Sequence, residues 1–443
     1  MTQSNIVGVV GGACAGSEIA HQLRQLGMEV VVFEQGPLPY GKIEDGLPRW
    51  HEKLQKKEIA KIDEKLSQDG IHYVPNCAFG RDIHLQELLA GWGLPLLVLA
   101  NGAWRDRQLR VKGATDVLDQ SLAYQNPFVY WFNHYPERNY QGPEYEVPEN
   151  PVVIGGGLAS IDVAKIFQYE LAKRAFKKHG VHLDVVAFDH FGIEKIAEKH
   201  GIDLSELAFG PAKLFYRKRV EDMPLVPLGE SPSLKRLEKA KSTRVKLVAN
   251  ATKKYGFEVH PLSSPVEIHT ENGSAVGVTF CKNRFTGTGF EPTGESVYVP
   301  ANLIVSSIGS IPQPLTGIPM QGELYEAESP HTGAIAGLAG VYCVGNAMTG
   351  RGNIKESFKN AARLGAIIES HYHGTEPAYE KLFEVQREQA KEHVAIMNAY
   401  LKTIAPMSEA ERQNVRERIG QLQAARGCRS GFLDWRDRIL AAR

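Results

Sequence analysis

Short apolar runs alternate along the chain with glycine-rich turns and amphipathic stretches. Residues 5–10 (NIVGVV) predict a buried strand, residues 16–26 predict a helix that Gly27 ends, and residues 28–34 (MEVVVFE) predict a second strand. This order is typical of one half of a nucleotide-binding domain. It returns at 151–165 (PVVIGGGLASIDVAK), where the helix is predicted to run to about residue 176. The pattern therefore predicts an α/β fold with two such units.

The remaining pattern adds strands, one hairpin and a helical tail. Buried strands are predicted at 94–103, 301–309 and 340–352, with a helix at 354–370 after the last of them. Asn272 and Gly273 lie between two alternating runs, which is the signal of a hairpin turn. The region from about 376 is predicted to be helical, and Ser408 with Glu411 fits a capping box.

The two glycine-rich turns are candidate pyrophosphate sites. Gly11, Ala13 and Gly16 spell G-x-A-x-x-G, an imperfect fingerprint in which Ala13 adds a methyl group. Glu34 closes the second strand 18 residues after Gly16, where a carboxylate can accept both ribose hydroxyls of an adenosine. A turn that serves packing alone is the competing interpretation.

The second turn repeats this arrangement with a different third residue. Gly155 and Gly157 match the first two glycines, and Ser160 stands at the third position. Each helix start offers free N–H groups and a positive dipole end to a phosphate. One such unit suggests a dehydrogenase, whereas two suggest a flavoprotein that holds FAD beside a nicotinamide.

Composition narrows the class of protein. The chain has 443 residues, which predicts two domains or more, and its 51 basic and 51 acidic residues argue against a nucleic-acid partner. No signal peptide is recognisable, and no run approaches the roughly 20 apolar residues of a membrane span. Five scattered cysteines without a C-x-x-C predict no metal site and no dithiol centre, and they suit a cytoplasmic location.

Several ordered motifs carry a resemblance to a known family. In chain order they are "VVGGACAG", "PYGKIEDGLPRWHEK", "LANGAWRDRQLRVKG", "VVIGGGLASIDVAK", "LFYRKRVEDMP", "SSIGSIPQPL" and "YCVGNAMTGRGN". Through them, residues 5–370 resemble the adrenodoxin reductase and glutamate synthase small-subunit group of flavoproteins. The resemblance implies two Rossmann-like dinucleotide-binding domains in a glutathione-reductase-like arrangement, with FAD on the first unit, a nicotinamide on the second and a helical C-terminal extension.

The resemblance also implies site residues. For FAD they are Gly11, Ala13, Gly16, Glu34, Gly41, Lys42, Ala100, Gly102, Gly345 and Asn346. Asn346 departs from the family, which often has an aspartate or a tryptophan there. His51 matches a histidine near the flavin in the adrenodoxin reductase branch, and a packing or surface histidine is the alternative.

Two segments compete for the ribose of the nicotinamide nucleotide. Residues 183–190 (LDVVAFDH) read as a strand that ends in Asp189, whose carboxylate would select NAD. Residues 213–224 (KLFYRKRVEDMP) read as a strand followed by Arg217 and Lys218, which would grip the 2′-phosphate of NADP. The second interpretation is favoured, with residues 178–210 as an insertion, and NADH remains the alternative donor.

The predicted domains follow from these motifs. Residues 1–115 and 331–375 form the FAD domain, 116–330 the NAD(P) domain, and 376–443 the extension. The predicted activity is hydride transfer from NADPH to FAD, then electron transfer to a ferredoxin-like or other protein. The alternative is a glutamate-synthase-small-subunit-like component of a larger complex. A homodimer is a further hypothesis about assembly. The weaker hypotheses about function are a nucleotide-binding subunit without catalysis, a flavin monooxygenase and a disulfide reductase, and the sequence lacks the cysteine pair that a disulfide reductase needs.

Overall fold

The computed structural model describes residues 5–226, 233–329, 331–349 and 376–443. In chain order the strands are β1 Ile6–Val10, β2 Glu29–Phe33, β3 Ile71–Val74, β4 Leu97–Leu99, β5 Arg105–Asp106, β6 Leu122–Tyr124, β7 Pro151–Gly155, β8 Lys213–Phe215, β9 Glu258–His260, β10 Ser263–Glu271, β11 Ser274–Phe285, β12 Phe290–Pro300, β13 Leu303–Ser307, β14 Ser310–Ile311, β15 Met320–Gln321, β16 Leu324–Tyr325 and β17 Val341–Cys343.

The described helices connect these strands and form the C-terminal region. In chain order they are α1 Cys14–Gln25, α2 Lys42–Asp45, α3 Glu52–Leu66, α4 Gln125–His134, α5 Leu158–Lys178, α6 Val185–Lys199, α7 Leu234–Tyr255, α8 Asn346–Thr349, α9 Glu376–Leu401, α10 Glu409–Ala425 and α11 Phe432–Ala441. None of these helices has the length and apolar composition that a membrane crossing requires.

The first parallel sheet has the strand order β17-β4-β1-β2-β3. Strand β1 is fully buried between two neighbours, as expected of a continuous β-branched run in a sheet covered on both faces. Helix α1 ends where Gly27 adopts a φ of 89°, a conformation that glycine accepts without strain. The predicted strand, turn, helix and strand are therefore confirmed.

The second parallel sheet repeats this construction with the order β6-β13-β7-β8-β9. Strand β7 is fully buried, and helix α5 follows it with an almost continuous set of buried residues. Two parallel sheets, each opened by a glycine-rich turn, confirm the predicted two-unit α/β fold.

A third, antiparallel sheet projects from the second unit. Its order is β10-β11-β12, and Asn272 and Gly273 form the turn between the first two strands with φ values of 51° and 79°. Two successive positive φ angles match the right-handed twist of a hairpin, which explains the Asn-Gly pair. The predicted hairpin is confirmed.

The C-terminal helices pack on the first sheet. The side chains of Phe432 and Trp435 are buried, whereas Leu433 is exposed. The Trp435 indole Nε1 donates to the Pro37 carbonyl at 2.6 Å, and the Arg416 guanidinium pairs with Glu29. Ser408 and Glu411 form the predicted capping box. This region is therefore helical as predicted, and its apolar faces complete the core around β1 and β2.

One predicted strand is wrong. Residues 183–190 were expected to end a strand at Asp189, but helix α6 spans Val185–Lys199. The Asp184 carboxylate accepts a hydrogen bond from the Ala187 backbone N–H at 2.7 Å, which caps the helix start. Gly192, with a φ of 79°, kinks this helix, and the buried residues Ile193, Ile196 and Ala197 after the kink follow helical rather than alternating spacing. The helix predicted at 354–370 lies outside the described residues.

Candidate functional site

A cavity of about 1350 Å³ opens where the carboxyl ends of the two parallel sheets meet. Ligands of open α/β sheets bind at this edge, and the volume exceeds the roughly 300–1,000 Å³ of an ordinary small-molecule pocket. Both glycine-rich turns line it. Its wall also contains predicted site residues from distant parts of the sequence, namely Glu34, Gly41, Lys42, Ala100, Gly102, Asn346, Arg217 and Lys218.

The first turn requires its glycines for close backbone contacts. Gly11 has a φ of 92°, and a Cβ atom there would lie 2.7 Å from the Ala100 carbonyl oxygen. A Cβ on Gly16 would lie 1.8 Å from the Gly11 carbonyl oxygen, which no relaxation of a side chain could relieve. Ala13 is extended, and helix α1 begins directly after it. The start of α1 therefore lies against the turn and faces the cavity, as a pyrophosphate cradle requires.

Glu34 closes this cradle at the end of β2. One carboxylate oxygen accepts the Gly12 N–H at 2.9 Å and the other accepts the Gly36 N–H at 3.1 Å. Burial raises the pKa of the carboxyl group despite these two hydrogen bonds. The sequence prediction placed Glu34 beside the turn, and the structure shows that it also holds the turn.

The loop after β4 supplies a buried polar atom that has no hydrogen-bond partner among the described residues. Ala100 and Gly102 line the cavity, and Gly102 has a φ of 69°. Between them, Asn101 donates through Nδ2 to the Tyr325 hydroxyl at 2.9 Å. Its Oδ1 atom is buried and accepts no hydrogen bond from the described residues. A buried acceptor in a residue that lines the cavity needs a hydrogen-bond donor, and so these residues fit a bound dinucleotide.

Lys42 bridges the two units at the middle of the cavity. Its Nζ donates to the Ser310 hydroxyl at 3.1 Å and lies 5.5 Å from the centre of the Trp104 ring. Burial lowers the pKa of Lys42 to about 8, and burial raises the pKa of neighbouring Asp106 to about 6. The predicted neighbour Gly41 also lines the cavity, with a φ of 51°.

The turn after β17 reaches the cavity through Asn346. Its Oδ1 accepts a hydrogen bond from Gln386 Nε2 at 3.3 Å, so a helix of the C-terminal region supports it. Gly345 has a φ of 62°, and a Cβ there would lie 3.2 Å from the Ala15 side chain. Gly345 therefore lies beside the first turn, and the contacts of both residues with FAD stay predictions.

His51 lies beneath the cavity wall. It is 1 % exposed and is not among the described residues that line the cavity. Its Nε2 is 4.0 Å from an Asp162 carboxylate oxygen, and its Nδ1 is 3.9 Å from Glu376. Its ring packs against Trp50 and Tyr379. These contacts favour the packing alternative for His51 over a direct cofactor contact.

The second turn is closed by a hydroxyl group rather than by a third glycine. The Ser160 Oγ accepts the Gly157 N–H at 3.2 Å and donates to Ser307 in β13 at 3.1 Å. A Cβ on Gly155 would lie 2.3 Å from that oxygen. A Cβ on Gly157, in contrast, would meet nothing within 4 Å. Ser160 therefore holds the turn from behind, and Gly157 lies at its open side.

Arg217 and Lys218 follow β8 at the far end of this second cradle. Both line the cavity, and within the described ranges no carboxylate pairs with either side chain. Arg219 behaves differently, because its guanidinium forms a two-point ion pair with Asp222 and also contacts Glu221. The structure thus brings two of the three adjacent cations to the cavity with their charges available.

Asp189 is absent from this end of the cavity. Its carboxylate lies on α6 and accepts from the buried Lys165 Nζ at 2.7 Å and from the Tyr255 hydroxyl at 3.0 Å. Burial raises the pKa of Asp189, but the Lys165 charge outweighs it and holds the pKa below its usual range. The NAD-selecting interpretation of Asp189 is therefore wrong.

Sequence reasoning missed several residues at the site. The Tyr216 ring lies on the second turn, since a Cβ on Gly156 would lie 2.2 Å from it. Ser264 lines the cavity from β10. Trp104 and Asp106 were quoted only as parts of a motif. Their position after β4, at the carboxyl edge of the first sheet, is the signal that could have identified them.

The wider chemistry of the site is limited. The five cysteines are free thiols, and burial raises the pKa of Cys14 at the cavity to about 11, so it is protonated at neutral pH. Across the part of the chain that the structure describes, no three His, Cys, Asp or Glu side chains gather as a metal site would need.

Comparisons with known proteins show what this chain is similar to. The profile described as pyridine nucleotide-disulphide oxidoreductase matches residues 5–205. A probable mitochondrial NADPH:adrenodoxin oxidoreductase of Schizosaccharomyces pombe is 27% identical over 342 residues, which cover 72% of this chain and 71% of the relative. NADPH-ferredoxin reductase FprA of Mycobacterium tuberculosis is 26% identical over 355 residues, or 74% of this chain and 73% of that protein.

A solved structure agrees in fold. The structure of Mycobacterium tuberculosis FprA in complex with NADPH has a TM-score of 0.67 and 18% identity, and the match covers 95% of this chain and 91% of that one. The profile, the relatives and the two-sheet fold agree with the motifs quoted from the sequence. Over residues 5–205, a little less than half of its length, this chain is similar to the pyridine nucleotide-disulphide oxidoreductase family.

Proposed function

We propose that this protein is an FAD-dependent oxidoreductase that takes hydride from NADPH and passes electrons to a ferredoxin-type protein. The observation that carries the proposal is one cavity with two nucleotide cradles of opposite charge. Glu34 ends the strand next to the first turn, and Arg217 with Lys218 follow the strand next to the second. Relatives that span nearly three quarters of the chain are named as NADPH-dependent reductases of this kind.

The first cradle would hold FAD. The pyrophosphate would lie on the N–H groups at the start of α1, and Glu34 would accept the hydroxyls of the adenosine ribose. The proposed FAD contacts are Gly11, Ala13, Gly16, Glu34, Gly41, Lys42, Ala100, Gly102, Gly345 and Asn346. The close backbone contacts at Gly11 and Gly16 support this set, as does the buried Asn101 Oδ1, which accepts no hydrogen bond from the described residues.

The second cradle would hold NADPH. Gly157 leaves open space for the pyrophosphate, and Gly155 and Ser160 hold the turn in place. Arg217 and Lys218 would bind the 2′-phosphate, since a guanidinium can donate to two phosphate oxygens at once. Within the same proposal, residues 1–115 and 331–375 form the FAD domain, 116–330 the NADPH domain and 376–443 a helical extension.

A bound flavin would supply the hydride-accepting and electron-donating chemistry. The protein would bind and orient both nucleotides in one cavity and exclude water from the space between them. Lys42 would fix the two units at this point, because its hydrogen bond to Ser310 joins the start of α2 to β14. His51 would act indirectly, through its contacts with Trp50 and Tyr379 beneath the wall.

The acceptor distinguishes the two proposed roles. A self-contained reductase would reduce an isolated ferredoxin-type protein with NADPH, whereas a subunit of the glutamate synthase type would need a larger partner. Anaerobic reduction of purified ferredoxin by NADPH and catalytic amounts of this protein tests the first role. Failure with ferredoxin, together with rapid reduction of the flavin by NADPH, would favour the second.

Nucleotide selectivity tests the second cradle directly. Arg217→Ala should weaken NADPH by about tenfold or more, because a hydrogen bond between charged groups is typically worth about 1.5–3 kcal/mol. NADH, which lacks the 2′-phosphate, should be nearly unaffected. The measurement is stopped-flow reduction of the bound flavin with each nucleotide. Arg219→Ala is the matched control, because its charge is already paired with Asp222. Equal losses for both nucleotides in Arg217→Ala would contradict the assignment.

A further inference from the structure

The antiparallel sheet holds the cation-bearing turn by all three of its backbone carbonyls. The Ser263 N–H donates to the Tyr216 carbonyl at 2.9 Å, and the Leu262 N–H donates to the Lys218 carbonyl at 2.9 Å. The carbonyl between them, that of Arg217, accepts from the Asn283 side chain at 2.8 Å. Strand β8 ends before this turn, and the Tyr216 N–H still donates to the His260 carbonyl of β9 at 3.1 Å. The three carbonyls of the turn, in contrast, are held by the antiparallel sheet and by Leu262, which directly precedes it.

Asn283 is placed for this contact by an irregularity in its strand. The pairing of β11 with β12 shifts register between Cys281 and Asn283, and such bulges redirect a side chain. The Asn283 side chain is 9 % exposed, and its backbone N–H donates to the Leu262 carbonyl at 2.7 Å. Leu262 itself has a φ of 53°, which is unusual for a branched residue. The chain around Leu262 and Asn283, which holds the cation-bearing turn, is therefore fixed by several contacts at once.

The same amide organises a second cavity residue. The Asn283 Nδ2 atom also donates to the Ser264 hydroxyl oxygen at 2.8 Å, so its two hydrogens serve two acceptors. Because Ser264 receives this bond, its own hydroxyl hydrogen is left to donate elsewhere. Ser264 lines the cavity together with Arg217 and Lys218. One buried amide thus orients a cation and a hydroxyl donor on the same wall.

The Arg217 side chain has little structural support of its own, so it depends on the position of its backbone. It is exposed, and no carboxylate among the described residues pairs with it. A long side chain of this kind loses rotamer freedom when it binds a phosphate, and a fixed backbone reduces the number of arrangements it must give up. The position of its backbone therefore influences how well the guanidinium meets the ligand.

We propose that Asn283 is a positioning residue for recognition of the 2′-phosphate, acting through the Arg217 backbone and the Ser264 hydroxyl. The inference rests on the proposed NADPH site. It predicts that selectivity for a phosphorylated ribose depends on the accessory antiparallel sheet, whose residues come from a separate part of the chain.

The test uses the holoprotein and two probes that differ only in the 2′-phosphate, adenosine 2′,5′-bisphosphate and adenosine 5′-monophosphate. Asn283→Ala should lower the affinity for the bisphosphate by about three- to tenfold, which is the value of one hydrogen bond. It should change the affinity for the monophosphate by less than about twofold. In steady state, KM for NADPH should rise by the same factor while kcat and the NADH parameters stay constant. Calorimetric titration gives the affinities without turnover.

Two further variants separate positioning from folding. Thr293→Ala is the matched control, because Thr293 also donates to a backbone carbonyl of this sheet, that of Lys282, but does not contact the cation-bearing turn. It should leave both probes unchanged. Asn283→Ser keeps a hydrogen-bond donor at the position and should recover part of the selectivity if Asn283→Ala folds poorly.

A double-mutant cycle decides whether Asn283 acts through Arg217. In the Arg217→Ala background, Asn283→Ala should cause a smaller further loss of affinity for the bisphosphate, limited to the part that acts through Ser264. Fully additive losses, or equal losses of both probes in Asn283→Ala, would overturn the positioning role. If Arg217→Ala itself leaves the bisphosphate unaffected, the proposed NADPH site fails first, so the two failures are distinguishable.

Discussion

The two glycine-rich cradles share one construction but end in opposite charges. In each, a buried strand runs through the turn into a helix, and the adjacent parallel strand ends at the edge of the same cavity. The first ends in Glu34, and the second in Arg217 and Lys218. A carboxylate accepts hydrogen bonds from free ribose hydroxyls and repels a phosphate, whereas cations attract one. The comparison shows that the residues at the end of this adjacent strand determine which ligand each cradle binds. The strand, turn and helix that the two cradles share do not determine it.

The cradles also differ in how they are closed. In the first, Gly16 brings helix α1 against the turn so tightly that no Cβ fits. In the second, the Ser160 hydroxyl fills the corresponding space and bonds to both the turn and β13. The first cradle therefore requires a residue without a side chain at Gly16, whereas the second requires the hydrogen bonds of the Ser160 hydroxyl.

The largest expected effect comes from a substitution that adds a single methyl group to the first cradle. Gly16→Ala places a Cβ 1.8 Å from the Gly11 carbonyl oxygen, so the helix start must move. We expect the free energy of unfolding to fall by more than about 3 kcal/mol, with loss of FAD binding. Gly157→Ala is the control in the second cradle, where the new Cβ meets open space, and its stability should stay within about 0.5 kcal/mol. Thermal and denaturant unfolding measure both. Equal stabilities would contradict the difference in closure.

Sequence patterns predicted the first cradle better than the second for a physical reason. The strand, turn, helix and Glu34 are consecutive, so local periodicity and spacing contain the whole unit. In the second cradle the ribose end lies far along the chain from Gly155, with α6 in between. Val185 and Val186 made that segment resemble a strand, and the helix-capping role of Asp184 was overlooked.

A second variant tests the corrected role of Asp189. Asp189→Asn should leave the preference between NADPH and NADH unchanged, because the carboxylate lies away from the cavity end. It should lower the free energy of unfolding by about 2 kcal/mol, since buried Lys165 loses its nearest charged partner but keeps Asp162 at 3.6 Å.

The pH dependence of this loss has a defined sign. Because the pKa of Asp189 is lowered in the folded state, its stabilising contribution is present above the unfolded pKa and is lost as the pH falls through the folded value. The stability gap between wild type and Asp189→Asn should therefore shrink below about pH 4. Denaturant unfolding across this range measures it. A changed nucleotide preference would restore the NAD-selecting interpretation.

Contacts between distant segments explain why the sequence revealed Lys42 and Arg217 but not their partners Ser310 and Asn283. Lys42 and Ser310 meet across the cavity, and Asn283 reaches Arg217 from another sheet. Neither pair has a local pattern, because tertiary packing alone brings its members together. His51 shows the reverse case. A motif match suggested a cofactor contact, but the fold surrounds the ring with Trp50, Tyr379 and Asp162.

The smallest expected effect concerns Glu34, the charged end of the first cradle, and the titration of its carboxylate. Burial raises the pKa of Glu34, so its carboxylate takes up a proton at a higher pH than free glutamate does. A protonated carboxyl group is a weaker acceptor for ribose hydroxyls, so FAD affinity should fall as the pH is lowered from neutrality. Glu34→Gln should bind FAD about tenfold more weakly at neutral pH and should lose this pH dependence. Quenching of flavin fluorescence measures both affinities. An equal pH profile in wild type and Glu34→Gln would assign the titration to another group and remove Glu34 from the ribose contact.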